Sequence, residues 1–270
     1  NVICFNAVVS ACGKCKQWEP ALALMAEMQE LSVELDVFSY NSAVSACANG
    51  EVWRQALGLL ADMRQQRMEP NVIGYSAAIS ACEKGERWDL ALKLLAGMQA
   101  QRLKPDVFSY SAAISACGNC GEWAHALTFL SEIQEQDMEP NLFSFSVTIS
   151  ALASSELWKW AVGILEEMEY KSLEPNVITC NAAISACGKG ERWQQACSLL
   201  AKMQHNGIAL DVITYSAAIS ACERGRQWQQ ALSLLVESQR HRLEPNVITY
   251  NAAIGTCEKC EMWRRASDLF

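Results

Sequence analysis

The stretch Asn246-Val247-Ile248-Thr249-Tyr250-Asn251-Ala252-Ala253-Ile254 occurs in this chain in eight versions. The others begin at residues 211, 176, 141, 106, 71, 36 and 1, so each lies 35 residues from the next, without insertion or deletion. Trp18, Trp53, Trp88, Trp123, Trp158, Trp193, Trp228 and Trp263 keep the same step, which makes eight of the nine tryptophans one position seen again and again. Self-similarity at a period of this length marks a repeat architecture. Each unit is too small to bury its own apolar face and does so against its neighbours.

Two helical patterns fit inside one unit. In the first, Val177, Cys180, Ile184 and Cys187 fall on one helix face. A break such as Gly188-Lys189-Gly190 is expected to stop that helix. The second pattern opens at the tryptophan, and Ala91, Leu94, Leu95 and Met98 share its face. It runs into a polar turn where Pro70, Pro105, Pro140, Pro175 and Pro245 recur, and a fixed φ with no N–H closes one unit there and opens the next. The expected fold class is therefore all-α: an α-solenoid superhelix of antiparallel helix pairs, sixteen helices in eight pairs, first helices inside and second helices outside. The units run 2–36, 37–71, 72–106, 107–141, 142–176, 177–211, 212–246 and, in part, 247–270, as a single array over 1–270. The chain opens at a unit boundary and closes inside a second helix, which reads as a piece of a longer array.

Composition agrees. Hydrophobic residues make up 51% and charged residues 19%, enough for a core and too few charges for a disordered chain. No window of 18 residues is free of polar or charged side chains, which excludes an apolar membrane-spanning helix. The 13 cysteines include Cys12-x-x-Cys15, Cys117-x-x-Cys120 and Cys257-x-x-Cys260, which look like zinc half-sites. The first cysteine of each is the helix position also held by Cys47, Cys82, Cys187 and Cys222, so these read as small core hydrophobes in a reducing interior, with no metal. The tryptophans beside the Ala/Leu/Met stripe read as interhelical core.

A net charge of −8 argues at first against a nucleic-acid partner. Divided by element, the eight first helices with their breaks carry +2 and the rest of the chain −10. Lys14, Lys84, Lys189, Arg224 and Lys259 hold one equivalent position, replaced by Asn49, Asn119 and Ser154 in three units.

The run Val-Ile-Thr-Tyr-Asn-Ala-Ala-Ile-Ser-Ala-Cys, then Lys-Gly, Ala-Leu-x-Leu-Leu-x-x-Met and Glu-Pro-Asn closely resembles the pentatricopeptide repeat, in its plain class of 35-residue units. The resemblance covers the whole chain. It departs in placing Trp where the family more often has Leu. The 34-residue tetratricopeptide unit has the wrong period, and its Trp-x-x-Leu-Gly-x-x-Tyr signature is not present.

The resemblance implies sequence-specific binding of single-stranded RNA, one base per unit. By analogy with the family, one selector is Asn6, Asn41, Ser76, Ser111, Ser146, Asn181, Ser216 or Asn251, and the other is Asp36, Asn71, Asp106, Asn141, Asn176, Asp211 or Asn246. On local sequence these residues equally well start and cap helices, and the two roles are compatible. Base clamping falls to Ile3, Phe38, Ile73, Phe108, Phe143, Ile178, Ile213 and Ile248, which lie off the buried stripe. The plainer account of these is contact between neighbouring first helices. The five basic residues would face phosphates. The family's pairing rules (Asn/Asp for U, Asn/Asn for C over U, Ser/Asp for G, Ser/Asn for A) give 5′-U-C/U-G-A-A-U-A-Y-3′. The resemblance further implies organellar RNA processing, stabilisation or translation in chloroplast or mitochondrion, with a recruited RNA-processing enzyme as partner. His125, His205 and His241 are not followed by the glutamate that a family-type deaminase centre needs, so no enzymatic role and no cofactor are expected. A peptide-binding helical-repeat scaffold is the alternative.

Overall fold

The computed structural model describes residues 2–31, 33, 35–262 and 264. Among these there are fifteen α-helices and no strand, each helix 13 residues long. Trp263 and the second helix expected for the last unit lie outside the described residues. The architecture is an all-α solenoid. It divides into two compact bodies, 1–140 and 141–270. The first holds α1 (Val2–Lys14), α2 (Trp18–Glu30), α3 (Val37–Asn49), α4 (Trp53–Gln65), α5 (Val72–Lys84), α6 (Trp88–Ala100), α7 (Val107–Asn119) and α8 (Trp123–Glu135). The second holds α9 (Leu142–Ser154), α10 (Trp158–Tyr170), α11 (Val177–Lys189), α12 (Trp193–His205), α13 (Val212–Arg224), α14 (Trp228–Arg240) and α15 (Val247–Lys259). Among the described residues no helix is long and apolar enough to cross a membrane.

Within each body the odd-numbered helices lie side by side as one layer, α1 on α3 on α5 on α7, and α9 on α11 on α13 on α15. Each even-numbered helix packs on the first helix of its own unit and on that of the next unit in the same body. The buried stripe of the first helices is the one the spacing predicts: Cys180, Ile184 and Cys187 are buried in α11, and Cys47, Cys82, Cys117, Cys222 and Cys257 sit in the same place elsewhere. Burial pushes the thiols of Cys47 and Cys187 up to about 11 and those of Cys82 and Cys117 up to about 12, so these cysteines are inert packing groups. In the second helices Ala91, Leu95 and Met98 are buried together.

The breaks stop the first helices as expected: α11 ends at Lys189, with Gly190 as its C-cap at φ −80°. The next residue, Glu191, turns the chain at φ 56°, as Glu51, Glu86 and Arg226 do in other units. Glycine is there for room. A Cβ on Gly190 would stand 2.2 Å from Trp158 Cδ1, and one on Gly225 2.4 Å from Trp193 Cδ1. Units with Cys120 or Cys260 at this place settle the thiol on the carbonyls of Glu86 (3.5 Å) and Arg226 (3.2 Å).

One sequence expectation needs correction: the tryptophans are not core. Trp18, Trp53, Trp88, Trp158, Trp193 and Trp228 are half-buried and Trp123 is 37% exposed. Where a glycine follows, the indole lies over the end of the next unit's first helix, and Arg87 and Arg192 stand 4.7 and 5.2 Å from the ring centroids of Trp53 and Trp158. The position therefore joins one unit to the next. Trp193→Ala should cost about 2 kcal/mol, below the ~3–5 kcal/mol of a fully buried aromatic, read as a shift in the urea midpoint. A loss as large as that of a fully buried aromatic would contradict the half-buried placement.

Candidate nucleic-acid interface

The first helices begin at the candidate terminal selectors, and the reason is local. Asp36, Asn71, Asp106, Asn141, Asn176, Asp211 and Asn246 each take the N-cap conformation and accept, through Oδ1, the backbone N–H three residues on. The capping account of these residues is thus correct, and it leaves their second polar atom for another task. The helical selectors sit one turn into the preceding unit's first helix. Asn6, Asn41, Ser76, Ser111, Ser146, Asn181 and Ser216 are buried, and Asn251 is exposed.

Two wirings join the selectors of a unit. In the asparagine units the contact is direct: Asn6 Nδ2 donates to Asp36 Oδ1 (3.3 Å), Asn41 Nδ2 to Asn71 Oδ1 (3.0 Å) and Asn181 Nδ2 to Asp211 Oδ1 (3.3 Å). Each of these asparagines keeps a buried Oδ1 without a partner. In the serine units a hydroxyl stands between. Ser76 Oγ meets Ser109 Oγ at 2.6 Å, and Ser109 Oγ donates to Asp106 Oδ1 at 2.6 Å. Ser146 and Asn176 are joined the same way through Thr179, and Ser216 and Asn246 through Thr249. Ser111 and Asn141 belong to different bodies: Ser111 Oγ donates to the Val107 carbonyl, and Asn141 caps α9.

Asp36 and Asp211 are held below the ordinary carboxylate range. Burial opposes ionisation, but hydrogen bonds from Ser39 and Asn6, and from Thr214 and Asn181, outweigh it. A lowered folded pKa contributes stability that is present above the unfolded value and lost as pH falls through the folded one. Acid unfolding of the parent should therefore steepen below about pH 4. Asp211→Asn, which caps equally well, should lessen that dependence in a circular-dichroism titration; an identical acid profile would contradict the cap assignment.

All eight candidate clamps are exposed, from 51% at Phe143 to 75% at Ile3. Contact between neighbouring first helices therefore does not account for them. In the second body a cleft of about 390 Å³ gathers the three kinds of residue: Asn181, Ser216 and Asn246 from the candidate selectors, Ile213 and Ile248 from the candidate clamps, Lys189 and Arg224 from the basic position. No acidic residue lines it. The other basic residues differ. Lys14 is exposed, Lys84 Nζ donates to the Ala48 carbonyl (3.0 Å), and Lys259 pairs with Glu223 (2.8 Å). Sequence reasoning missed Ser185 and Ser220, which also line the cleft one turn beyond the selectors, and the hydroxyls of Ser109, Thr179 and Thr249. The signal for Ser185 and Ser220 was their fixed place in the period, shared by Ser10, Ser45, Ser80, Ser115 and Ser150.

Family models match along most of the chain: a pentatricopeptide repeat domain over 198–259, the PPR repeat family over 1–49, 70–119 and 105–154, and the PPR repeat over 38–68, 143–173 and 178–208. No curated protein matches it in sequence. Among solved structures it is similar to the pentatricopeptide repeat protein PPR10 from maize, with TM-score 0.70 and 18% identity over 99% of this chain and 43% of that one. It is also similar to PPR10 in complex with an 18-nt psaJ RNA element, with TM-score 0.61 and 17% identity over 100% of this chain and 44% of that one. A third is the PPR domain of Arabidopsis thaliana protein-only RNase P 1 in complex with tRNA, with TM-score 0.57 and 15% identity over 66% of this chain and 94% of that one. The chain thus spans less than half the length of the PPR10 structures, and at these identities the likeness is one of fold.

Proposed function

This chain belongs to the pentatricopeptide repeat family, and from that premise we propose that it binds single-stranded RNA, one base per unit, with the order 5′-U-C/U-G-A-A-U-A-Y-3′ along the N-to-C direction. The observation that carries this reading is the cleft where base-edge, base-face and phosphate partners meet: Asn181, Ser216 and Asn246, Ile213 and Ile248, Lys189 and Arg224. An exposed apolar side chain beside buried hydrogen-bonding groups is the arrangement that takes a base by its face and reads it by its edge. PPR10 in complex with an RNA element, a structure of the same fold, supports it. The units act as a single array, and the chain serves as an adaptor in chloroplast or mitochondrial RNA processing, stabilisation or translation. It brings an RNA-processing enzyme to a transcript and performs no chemical step itself.

Selection from a randomised RNA pool tests the reading. Enrichment of the stated order supports it, and recovery of unrelated sequences overturns it. Affinity should fall with salt along a log–log slope no steeper than about −3.5, from five phosphate contacts at ~0.7 each on single strands. Lys189→Ala should weaken every RNA about equally, because a phosphate contact carries no sequence information. A change in base preference in that variant would contradict the assignment.

A further inference from the structure

We propose that Cys197 and Cys222 are a reversible oxidation site, at which a hydroperoxide converts the two thiols to a disulfide that ties the sixth unit to the seventh. Their Sγ atoms stand 3.9 Å apart, on α12 and α13, the second helix of one unit and the first helix of the next. At that distance the sulfurs touch, and small rotations of the two side chains bring them to the roughly 2.05 Å of a bond. Cys222 holds the buried place that Cys47, Cys82 and Cys187 hold in their own units. Cys197 is the departure. The same place is Leu22, Leu57, Leu92, Leu127, Val162 and Leu232 in the other units. An aliphatic side chain serves packing there, so the cysteine needs another account, and the sulfur it faces supplies one.

The two thiols differ in reactivity. Cys197 is partly exposed, whereas Cys222 is buried. The Cys222 S–H donating to Cys197 Sγ, with a further bond from Gln230, holds the Cys197 thiol below its ordinary value against the opposing effect of burial. That same hydrogen bond, together with burial, pushes the Cys222 thiol up. At Cys47 and Cys187 burial acts alone, and it raises the thiol. The pair is thus an accessible sulfur poised to ionise with a protonated partner behind it, the arrangement of an attacking and a resolving thiol.

With hydrogen peroxide, the Cys197 thiolate attacks one oxygen. An S–O bond forms, the O–O bond breaks, and hydroxide leaves to take up the proton that Cys197 released. The Cys222 sulfur then attacks the Cys197 sulfur. The S–S bond forms, the S–O bond breaks, and the departing hydroxide takes the Cys222 proton as water. Two thiols lose two electrons and two protons, and one peroxide becomes two waters. Helix α12 packs on α11 and α13, which carry Asn181 and Lys189, and Ser216 and Arg224, on the walls of the cleft. The bond therefore ties one wall to the other through α12. Repeats couple mainly to their neighbours, so it suppresses local opening at this junction. The proposal stands apart from the RNA reading.

The test treats the reduced chain with hydrogen peroxide under native conditions, blocks the remaining thiols and digests with trypsin without reductant. Peptides 193–202 and 203–224 should be recovered joined, and dithiothreitol should separate them. Amide exchange in α12 and α13 should slow at least about tenfold in the oxidised chain, as a cross-link opposes local opening. Cys197→Leu, with the residue most other units carry, should fold like the parent, give no joined peptides and show no slowing. Cys222→Ser is the second variant, and should leave Cys197 as a sulfenic acid that dimedone traps. Joining only in urea-unfolded chain, oxidation of Cys197 beyond sulfenic acid with Cys222 still free, or unchanged exchange in the joined protein would overturn the proposal.

Discussion

Asp106→Asn is expected to move the third base from G to A and to leave the other positions as they were. Asp106 starts α7 by accepting Ser109 N through Oδ1 (2.8 Å), and Asn at an N-cap is as good as Asp, so the fold should not change. The variant exchanges the second oxygen for an NH₂ group. One acceptor becomes a donor, opposite a base edge where G offers a ring N–H and A a ring nitrogen lone pair. Hydrogen-bonded base contacts of this kind are worth about 1–3 kcal/mol, a change in preference of roughly five- to 150-fold. Four RNAs differing only at the third base, titrated against both proteins, give the answer. An unchanged preference in a variant that still binds RNA would show that Ser76 and Asp106 do not select.

Phe108→Ala and Tyr110→Ala should fail in opposite ways although two residues separate them. Phe108 is 57% exposed, so its loss should leave the melting temperature nearly unchanged. Its ring is available to a base face, and base–aromatic stacking is worth about 1–3 kcal/mol by alanine substitution. RNA affinity should accordingly drop at least fivefold. Tyr110 is fully buried, with its hydroxyl donating to Glu132 (3.0 Å) and accepting from Gln136 (2.9 Å). Removing it should cost about 3–5 kcal/mol of stability and affect RNA only through unfolding. If Phe108→Ala melts well below the parent and binds RNA normally, the exposed row is structural and the clamp reading is lost.

Most of the fold and the members of the candidate site were legible in the sequence because they depend on spacing within a unit. The 35-residue step, the stripe through Cys180, Ile184 and Cys187, and the Asp or Asn opening each first helix all follow from 3.6-residue periodicity and from the orphan N–H groups of a helix start. Spacing also set Ile178 and Phe108 off the buried face, and both are exposed. The same information could not tell what each residue meets in the next unit.

The sequence by itself therefore determined the repeat, the helix pairs, their boundaries and which positions vary as candidate selectors. Only the tertiary structure decided contacts between residues some 32 to 36 positions apart. Gly190 is small because Trp158 lies over it, Lys84 reaches the Ala48 carbonyl, and Ser76 meets Ser109 across a unit boundary. The physical reason is that hydrogen bonds and van der Waals contacts act over about 3–4 Å. A pattern read along one helix gives the direction in which a side chain points, whereas the atom it finds there belongs to a neighbour placed by packing.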